Sequence, residues 1–237
     1  MFYLLDLFIG VAFNGRAIGK LEVLSMDISQ DAVERLSRYR MVLLRLKSLG
    51  FVKVFSDNLG DALGISASQV RKDFAAFGMK GVKRGGYQIA NLIDRLTELL
   101  GVTGVLKAVV VGCGNIGTAL MKMYGGKRDG VCVVAGFDVD SSLINPHSDV
   151  PIYDVHELSA FIEKHGIRVA ILAVPEEAAP GVMELLRQSA VRGVLNFTPA
   201  QLRSDANCLV HHMNIRMEIE KLFCMVHLMG ADRPARN

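Results

Sequence analysis

Three glycines with the spacing G-x-G-x-x-G are the residues best suited to bind a phosphorylated ligand. A β-branched run, 109–111, precedes them and a helix-forming segment follows, which predicts a strand–turn–helix unit. In such a unit the first glycine permits the turn, the second lets a pyrophosphate approach, and the third lets helix and strand pack closely. The diphosphate would bind free N–H groups at the helix N-terminus. The predicted loop contains Gly112, Cys113, Gly114, Asn115, Ile116 and Gly117. A loop that only turns tightly is the alternative.

An acidic residue, Asp138, follows the second predicted strand, 131–137, roughly 20 residues after the glycine loop. A carboxylate at this position accepts both hydroxyls of an adenosine ribose and repels a 2′-phosphate, which favours NAD(H) over NADP(H). Later strand ends place Pro175, Asn196 and Phe197 near the distal, nicotinamide end of a bound dinucleotide. The alternative for Pro175 is that it only terminates its strand.

Basic residues are concentrated in one part of the 237-residue chain. Residues 31–90 contain 11 Lys and Arg against 5 Asp and Glu, whereas residues 91–237 contain 14 against 16. A basic segment of domain size is typical of a nucleic-acid-binding module joined to a neutral domain. The cysteines and histidines show no metal-ligand spacing, so we expect no metal site. No apolar run could span a bilayer, and we expect a cytoplasmic protein.

The basic segment has the pattern of a winged helix-turn-helix. Residues 31–49 and 56–63 form two predicted helices, and Ser66 is a typical N-cap for a third, 67–77. The glycine-rich basic stretch 78–87 predicts a hairpin wing. We expect the third helix to enter the major groove of double-stranded DNA and the wing to contact phosphate or the minor groove. The predicted DNA-binding residues are Ser66, Ser68, Gln69, Arg71, Lys72, Lys80, Lys83 and Arg84. A solvated helix face is the alternative for Arg71 and Lys72.

These patterns predict an α/β protein with four segments. They are an N-terminal extension (1–30), a winged-helix DNA-binding domain (31–98), a Rossmann-type doubly wound parallel-sheet domain that binds NAD(H) (99–205), and a C-terminal dimerisation helix with its tail (206–237). The last helix has an apolar stripe along 214–229, which fits either local core or a dimer contact. Within the extension, Met26 is the predicted initiator, since the codons of Glu22–Val23 can contain a ribosome-binding site.

The combined motifs resemble those of the Rex family of redox-sensing transcriptional repressors over residues 31–229. The motifs that carry the resemblance are 66–74, 77–78 with 86–87, 112–117 with 137–140, and 193–197. The resemblance implies a homodimer that exchanges its C-terminal helices and binds a palindromic operator when NADH is scarce. It also implies that NADH binds between the lobes, rotates them and misaligns the two recognition helices, without turnover of the cofactor.

Some positions depart from the family pattern. Met41 stands where relatives often have Arg, and Arg216 stands where they often have Asp. The two family residues resemble an ion pair made in one lobe arrangement, so their joint replacement predicts an altered redox switch without a buried unpaired charge. A compensating contact elsewhere is the alternative. The expected tyrosine is also displaced, with Met123 at the usual spacing and Tyr124 one residue later.

Cys113 raises a separate hypothesis, because a thiol near a helix N-terminus can have a lowered pKa and sense oxidants directly. The alternative is a small residue that fills a tight loop. For the whole chain, the leading interpretation is a non-enzymatic DNA-binding repressor that senses the NADH/NAD⁺ ratio. One alternative is an NAD-dependent oxidoreductase, although no acid–base pair couples to a hydride site. Another is a regulator that binds CoA or a different ADP-containing ligand.

Overall fold

The structure, a computed structural model, describes residues 29–82, 84–126 and 130–231. The predictions for residues 1–25, for Met26 as the initiator and for Lys83 lie outside the described residues. The chain divides between Thr103 and Gly104 into two compact units. We call them the N-terminal unit and the C-terminal unit. Their boundary lies a few residues beyond the predicted one at 98.

The N-terminal unit is a helix-turn-helix with a small antiparallel ribbon. Its elements are α1 (Gln30–Ser48), β1 (Lys53–Val54), α2 (Ser56–Leu63), α3 (Ala67–Ala76), β2 (Tyr87–Gln88) and α4 (Ile89–Leu99). Helix α1 begins after the N-cap Ser29, and α3 begins after the N-cap Ser66, whose hydroxyl accepts the Gln69 N–H at 3.1 Å. The antiparallel pairing of β2 with β1 joins the end of the wing segment to the strand that precedes α2.

Aromatic side chains build the core of the N-terminal unit. The rings of Tyr39 on α1 and Phe74 on α3 meet edge to face with centroids 5.1 Å apart, and Tyr87 contacts Phe74 in the same way at 5.0 Å. Leu36, Leu43 and their neighbours fill the space between the helices. The helical periodicity of α1 therefore buries one face in the core that it shares with α4 and α3. The predicted helices are confirmed to within one or two residues.

The C-terminal unit is a doubly wound parallel sheet. Its elements are β3 (Leu106–Val111), α5 (Asn115–Tyr124), β4 (Val131–Asp138), β5 (Ile152–Asp154), a 3-10 turn (Val155–Glu157), α6 (Leu158–His165), β6 (Val169–Leu172), a 3-10 turn (Glu176–Ala178), α7 (Ala179–Arg187), β7 (Gly193–Asn196), β8 (Leu209–His212) and α8 (Ile215–Ala231). The strand order is β5-β4-β3-β6-β7-β8, and every neighbouring pair is parallel. This confirms the predicted Rossmann-type fold.

The central strand β3 is buried on both faces of the sheet. Val109 and Val111 pack into one apolar layer with Phe137, whereas Val110 packs into the other with Met121. This alternation explains the continuous apolar run in the sequence, since a parallel strand covered by helices on both sides needs no polar face. The buried strand positions the glycine loop that follows it.

The last strand lies outside the predicted limits of the sheet domain. Strand β8 pairs in parallel with β7, with Val210 opposite Val194, so the sheet extends beyond the expected boundary at residue 205. Helix α8 begins directly after it, at Ile215. Among the described residues, no helix is long and apolar enough to cross a bilayer.

Candidate nucleotide and DNA-binding sites

The carboxyl ends of four strands are joined by backbone hydrogen bonds at one edge of the sheet. Gly112 N–H donates to the Phe137 carbonyl at 2.8 Å, and Ala173 N–H donates to the Val111 carbonyl at 2.8 Å. Phe197 N–H donates to the Leu172 carbonyl at 2.9 Å. Strand order reverses between β3 and β6, and ligands of doubly wound sheets bind in the crevice at that reversal.

The three glycines of the loop have different surroundings. Gly112 has φ +92°, and a Cβ there would lie 2.5 Å from the Ala173 carbonyl oxygen. A Cβ at Gly117 would overlap the Gly112 carbonyl oxygen. By contrast, a Cβ at Gly114 would meet nothing within 4 Å. Two glycines are therefore needed for packing, while the third keeps open the space at the start of α5.

The open space at Gly114 fits a pyrophosphate. Gly114 is the N-cap of α5 and makes no side-chain capping bond, so the first N–H groups of the helix face the loop. Those N–H groups and the positive end of the helix dipole favour an anion. Asn115 and Ile116, the first helical residues, are exposed beside it. The residues of the predicted loop thus lie together at the start of α5, where the prediction places a pyrophosphate.

Asp138 lies across the glycine loop from α5. Its Oδ2 accepts the Cys113 N–H at 2.6 Å, and its Oδ1 accepts the Asp140 N–H at 3.0 Å. These two bonds fix the carboxylate at the end of β4. Because each oxygen retains a second lone pair, the half-buried carboxylate can still accept ribose hydroxyls.

Two further predicted cofactor residues border the same edge. Pro175 is exposed and caps the short 3-10 turn after β6. Phe197 is half-buried and packs against the apolar layer that contains Val110 and Cys113. Their roles at the distal end of a dinucleotide therefore remain predictions.

Asn196 requires a correction, because its side chain is fully buried. Its Nδ2 donates to the Ala200 carbonyl at 2.9 Å and contacts Nδ1 of His212 at 3.0 Å. Its Oδ1 accepts both the N–H and the hydroxyl of Thr198, at 3.0 and 2.8 Å. All the hydrogen-bonding groups of the amide thus have partners, and these bonds hold the loop after β7 to β8. Asn196 shapes the crevice and does not present a free group to a ligand.

For Cys113 the structure favours the alternative of a small residue that fills a tight loop. The thiol is only 1% exposed. Burial and the nearby Asp138 carboxylate raise the pKa of Cys113 to about 12. Both effects disfavour the thiolate and outweigh the expected influence of the helix N-terminus, so the residue fills a tight loop.

We predict that Cys113 resists alkylation in the folded protein at pH 8, since the thiolate is the nucleophile. The measurement is mass-spectrometric mapping of iodoacetamide adducts, with the same protein in urea as the control that exposes the thiol. Rapid native labelling of Cys113, at the rate of a free thiol, would contradict this assignment.

The predicted DNA-contacting residues lie on α3 and on the wing. Ser68, Lys72, Lys80 and Arg84 are exposed, whereas Lys83 lies outside the described residues. Arg71 is exposed but donates to the Ser56 hydroxyl at 2.9 Å, which ties it to the start of α2. The exposed cations give this surface the positive charge that phosphate contacts need.

A buried carboxylate holds α3 to α1, and the sequence patterns did not single it out. Asp73 on α3 is 6% exposed. Arg35 donates Nε to its Oδ2 at 2.9 Å and Nη2 to its Oδ1 at 3.1 Å, and the Tyr39 hydroxyl donates to Oδ2 at 2.9 Å. Burial alone would raise the pKa of Asp73, but the hydrogen bonds from Arg35, Tyr39 and Gln69 outweigh it and hold that pKa below its usual range.

Comparisons with known proteins match both units. The family described as "Putative DNA-binding protein N-terminus" matches residues 27–75, and the one described as "CoA binding domain" matches residues 105–200. The redox-sensing transcriptional repressor Rex of Listeria monocytogenes serovar 1/2a is 32% identical over 82% of this chain and 91% of its own length. Redox-sensing transcriptional repressor Rex 1 of Thermotoga maritima is 38% identical over 74% of this chain and 86% of its own. The chain belongs to the Rex family.

A solved Rex-family repressor has the same fold. RSP in complex with β-NAD⁺ and operator DNA is similar with a TM-score of 0.77 and 24% identity, covering 87% of this chain and 95% of that one. RSP in complex with β-NADH is similar with a TM-score of 0.73 and 23% identity, covering 87% and 97%. The Rex architecture therefore extends over both units of this chain.

Proposed function

We propose that this chain is a DNA-binding repressor whose operator affinity is set by the NADH/NAD⁺ ratio. The observation that carries the proposal is the presence, in one Rex-family chain, of an open glycine loop facing Asp138 and a helix-turn-helix with exposed cations. The first arrangement suits a dinucleotide and the second suits duplex DNA. DNA as the partner places its action in the cytoplasm.

The nucleotide acts here as a ligand and undergoes no reaction. The pyrophosphate binds at Gly114 and the start of α5, and Asp138 accepts the adenosine ribose hydroxyls. NADH and NAD⁺ can shift the DNA-binding equilibrium only through different affinities for the DNA-competent and DNA-incompetent forms. The curated relatives are named as transcriptional repressors, which supports a regulatory role over an oxidoreductase.

The protein acts as a homodimer that binds a palindromic operator. Support comes from α8, whose large apolar side chains are between 51% and 74% exposed in the single chain. They are Ile215, Met217, Ile219, Leu222, Phe223, Met225, Val226, Leu228 and Met229. So many exposed apolar groups on one helix are typical of an obligate interface. A two-fold dimer would present two recognition helices to two half-sites.

Phe223→Asp is predicted to convert the dimer into monomers, because it places a charge in the apolar contact of α8, where Phe223 is 73% exposed in the single chain. Sedimentation velocity at micromolar concentration is the measurement, and Lys221→Ala on the same helix is the matched control. A dimer that persists in Phe223→Asp would show that α8 is not the contact.

The redox response of this chain is altered relative to that of an ordinary relative. Arg216 donates Nε to Glu220 Oε1 at 2.8 Å within α8, and Met41 is an exposed apolar residue on α1. Neither residue supplies the opposite charges that the family pattern places at these positions. With that ion pair missing from one lobe arrangement, the balance between the two arrangements changes, and so does the NADH/NAD⁺ ratio at which DNA is released.

A second candidate ligand is CoA, which the family description matching residues 105–200 favours. CoA shares the ADP moiety with NAD(H) but carries a 3′-phosphate on its ribose. Asp138 disfavours a phosphate near the ribose through like-charge repulsion.

Two measurements test the proposal with the full-length chain. Calorimetric titration with NADH, NAD⁺, CoA and ADP identifies the ligand, and we expect NADH to bind most tightly. Selection from a random duplex pool identifies the operator, and we expect a palindrome. Preferential CoA binding would replace the nucleotide part of the proposal, and absence of a selected sequence would remove the DNA part.

A further inference from the structure

The side chain of Gln69, in the first turn of α3, bonds to a residue one turn further along its own helix. The sequence Ser66-x-x-Gln69 predicts a capping box, in which the glutamine reaches back to the N–H of the N-cap residue. Only half of that box forms, since the Ser66 hydroxyl accepts the Gln69 N–H at 3.1 Å. The amide Nε2 instead donates forward to Asp73 Oδ1 at 2.7 Å. The direction of Gln69 is therefore set by Asp73.

Asp73 is a fixed anchor for that amide. Its two oxygens each accept two hydrogen bonds: Oδ1 from Arg35 and Gln69, and Oδ2 from Arg35 and Tyr39. A carboxylate with all four acceptor sites used, and only 6% exposed, has little freedom to move. The bond to Gln69 is charge-assisted and stronger than one between neutral groups.

The remaining polar groups of the Gln69 amide stay available. Nε2 has a second N–H, and within the described residues neither it nor Oε1 has a hydrogen-bond partner on the protein. Gln69 is half-buried, and it belongs to the first turn of α3. One free donor and one free acceptor therefore remain on an amide whose orientation is fixed by Asp73.

We propose that Gln69 reads an adenine in each operator half-site, with Asp73 as the positioning residue behind it. The inference rests on the proposed DNA-binding function and adds the base that is recognised. Adenine presents its N6 amino group as a donor and N7 as an acceptor in the major groove, and a glutamine amide pairs with both at once. The first turn of a recognition helix is the part that meets base edges.

Neighbouring residues are less suited to this task. The Ser66 hydroxyl is occupied in the cap, and Arg71 is held by Ser56 on α2. Lys72 is a flexible point charge that suits phosphate and carries no base preference. Gln69 is therefore the polar side chain of this turn whose direction is fixed by a buried partner.

The experiment uses the full-length chain and the palindromic duplex that it selects from a random pool. Each adenine of one half-site is replaced in turn, in both symmetry-related positions, by 7-deaza-adenine, which lacks the N7 acceptor. We expect one position at which wild-type affinity falls by about tenfold. At that position Gln69→Ala binds the normal and modified duplexes equally. Lys72→Ala, the matched control, loses affinity for all duplexes alike and keeps the tenfold ratio.

Asp73→Asn supplies the second variant. Arg35 and Tyr39 are hydrogen-bond donors, so they bind the oxygen of the new asparagine amide. The NH₂ group of that amide then faces Gln69. The glutamine amide then flips and no longer offers the adenine pattern, so the tenfold ratio falls toward one. Partial unfolding does not alter this ratio, because it lowers both affinities equally.

Two outcomes would overturn the inference. If the chain binds its selected operator but Gln69→Ala keeps the wild-type ratio at every adenine, Gln69 does not read adenine and the proposed function stands. If the chain selects no duplex, both the proposed function and this inference are wrong.

Discussion

Asp73→Ala is expected to destabilise the N-terminal unit by about 3–5 kcal/mol, the largest effect of any single polar substitution in this part of the protein. The reason is that it leaves Arg35 and the buried Tyr39 hydroxyl without the acceptor that both share. The measurement is thermal unfolding followed by circular dichroism. Asp57→Ala is the control, since Asp57 is an exposed acid whose contact with Arg71 is 3.6 Å long. Equal melting temperatures for the two variants would contradict the role of the network.

The same carboxylate gives stability a defined dependence on pH. The pKa of Asp73 is lower in the folded protein than in the unfolded chain, so the unfolded state binds more protons as the pH falls. Its stabilising contribution is complete above the unfolded value, about pH 4, and is lost as the pH falls toward the lower folded pKa. The free energy of unfolding of the wild-type protein should therefore fall below about pH 4. The Asp73→Ala variant should lack the part of this fall that comes from Asp73.

Gly114→Val is expected to abolish nucleotide binding while the protein remains folded. A Cβ at Gly114 meets no protein atom within 4 Å, and the backbone there is extended, so the side chain enters open space. That space is where a pyrophosphate would approach the start of α5. We expect the affinity for NADH, measured by calorimetry, to fall at least about tenfold. The free energy of unfolding should change by less than about 1 kcal/mol.

Two glycine variants control this experiment. Gly181→Ala, on α7, also projects into open space but lies outside the loop, so it should leave NADH affinity unchanged. Gly117→Ala should instead unfold the C-terminal unit, because its Cβ would overlap the Gly112 carbonyl. Undiminished NADH binding by Gly114→Val would show that the pyrophosphate does not bind at this loop.

Local patterns in the sequence were sufficient for the main architecture. The apolar run before Gly112 and the alternation of packing along β3 follow from a strand buried on both faces. Ser66 and the short α2 marked the helix-turn-helix, because N-caps are local features. The opposition of Asp138 and the glycine loop was also predictable, since both follow parallel strands that end at the same edge.

Features that depend on distant partners were not predictable in the same way. Asp73 bonds to Arg35 across 38 positions of sequence, and nothing local distinguishes it from a solvated acid. Strand β8 has two histidines among four residues, which gives it little strand character, and only pairing with β7 defines it.

Asn196 and Cys113 show the limit of reasoning from the ends of strands. The position of Asn196 at the end of β7 was predicted, but the direction of its side chain into the Ala200 and Thr198 loop was not. For Cys113, proximity to a helix N-terminus was visible in sequence, whereas burial beside Asp138 was not, and burial determines its chemistry. Position can be inferred from spacing, but burial and orientation need the three-dimensional surroundings.

The most direct test of the account is release of operator DNA by nucleotide, measured by fluorescence anisotropy of the labelled selected duplex. We expect the full-length chain to bind the duplex alone and with NAD⁺, and to dissociate as NADH is added. The NADH/NAD⁺ ratio at which dissociation occurs should differ from that of a relative that has the family's Arg and Asp in place of Met41 and Arg216. Binding that is unchanged by saturating NADH would contradict the account.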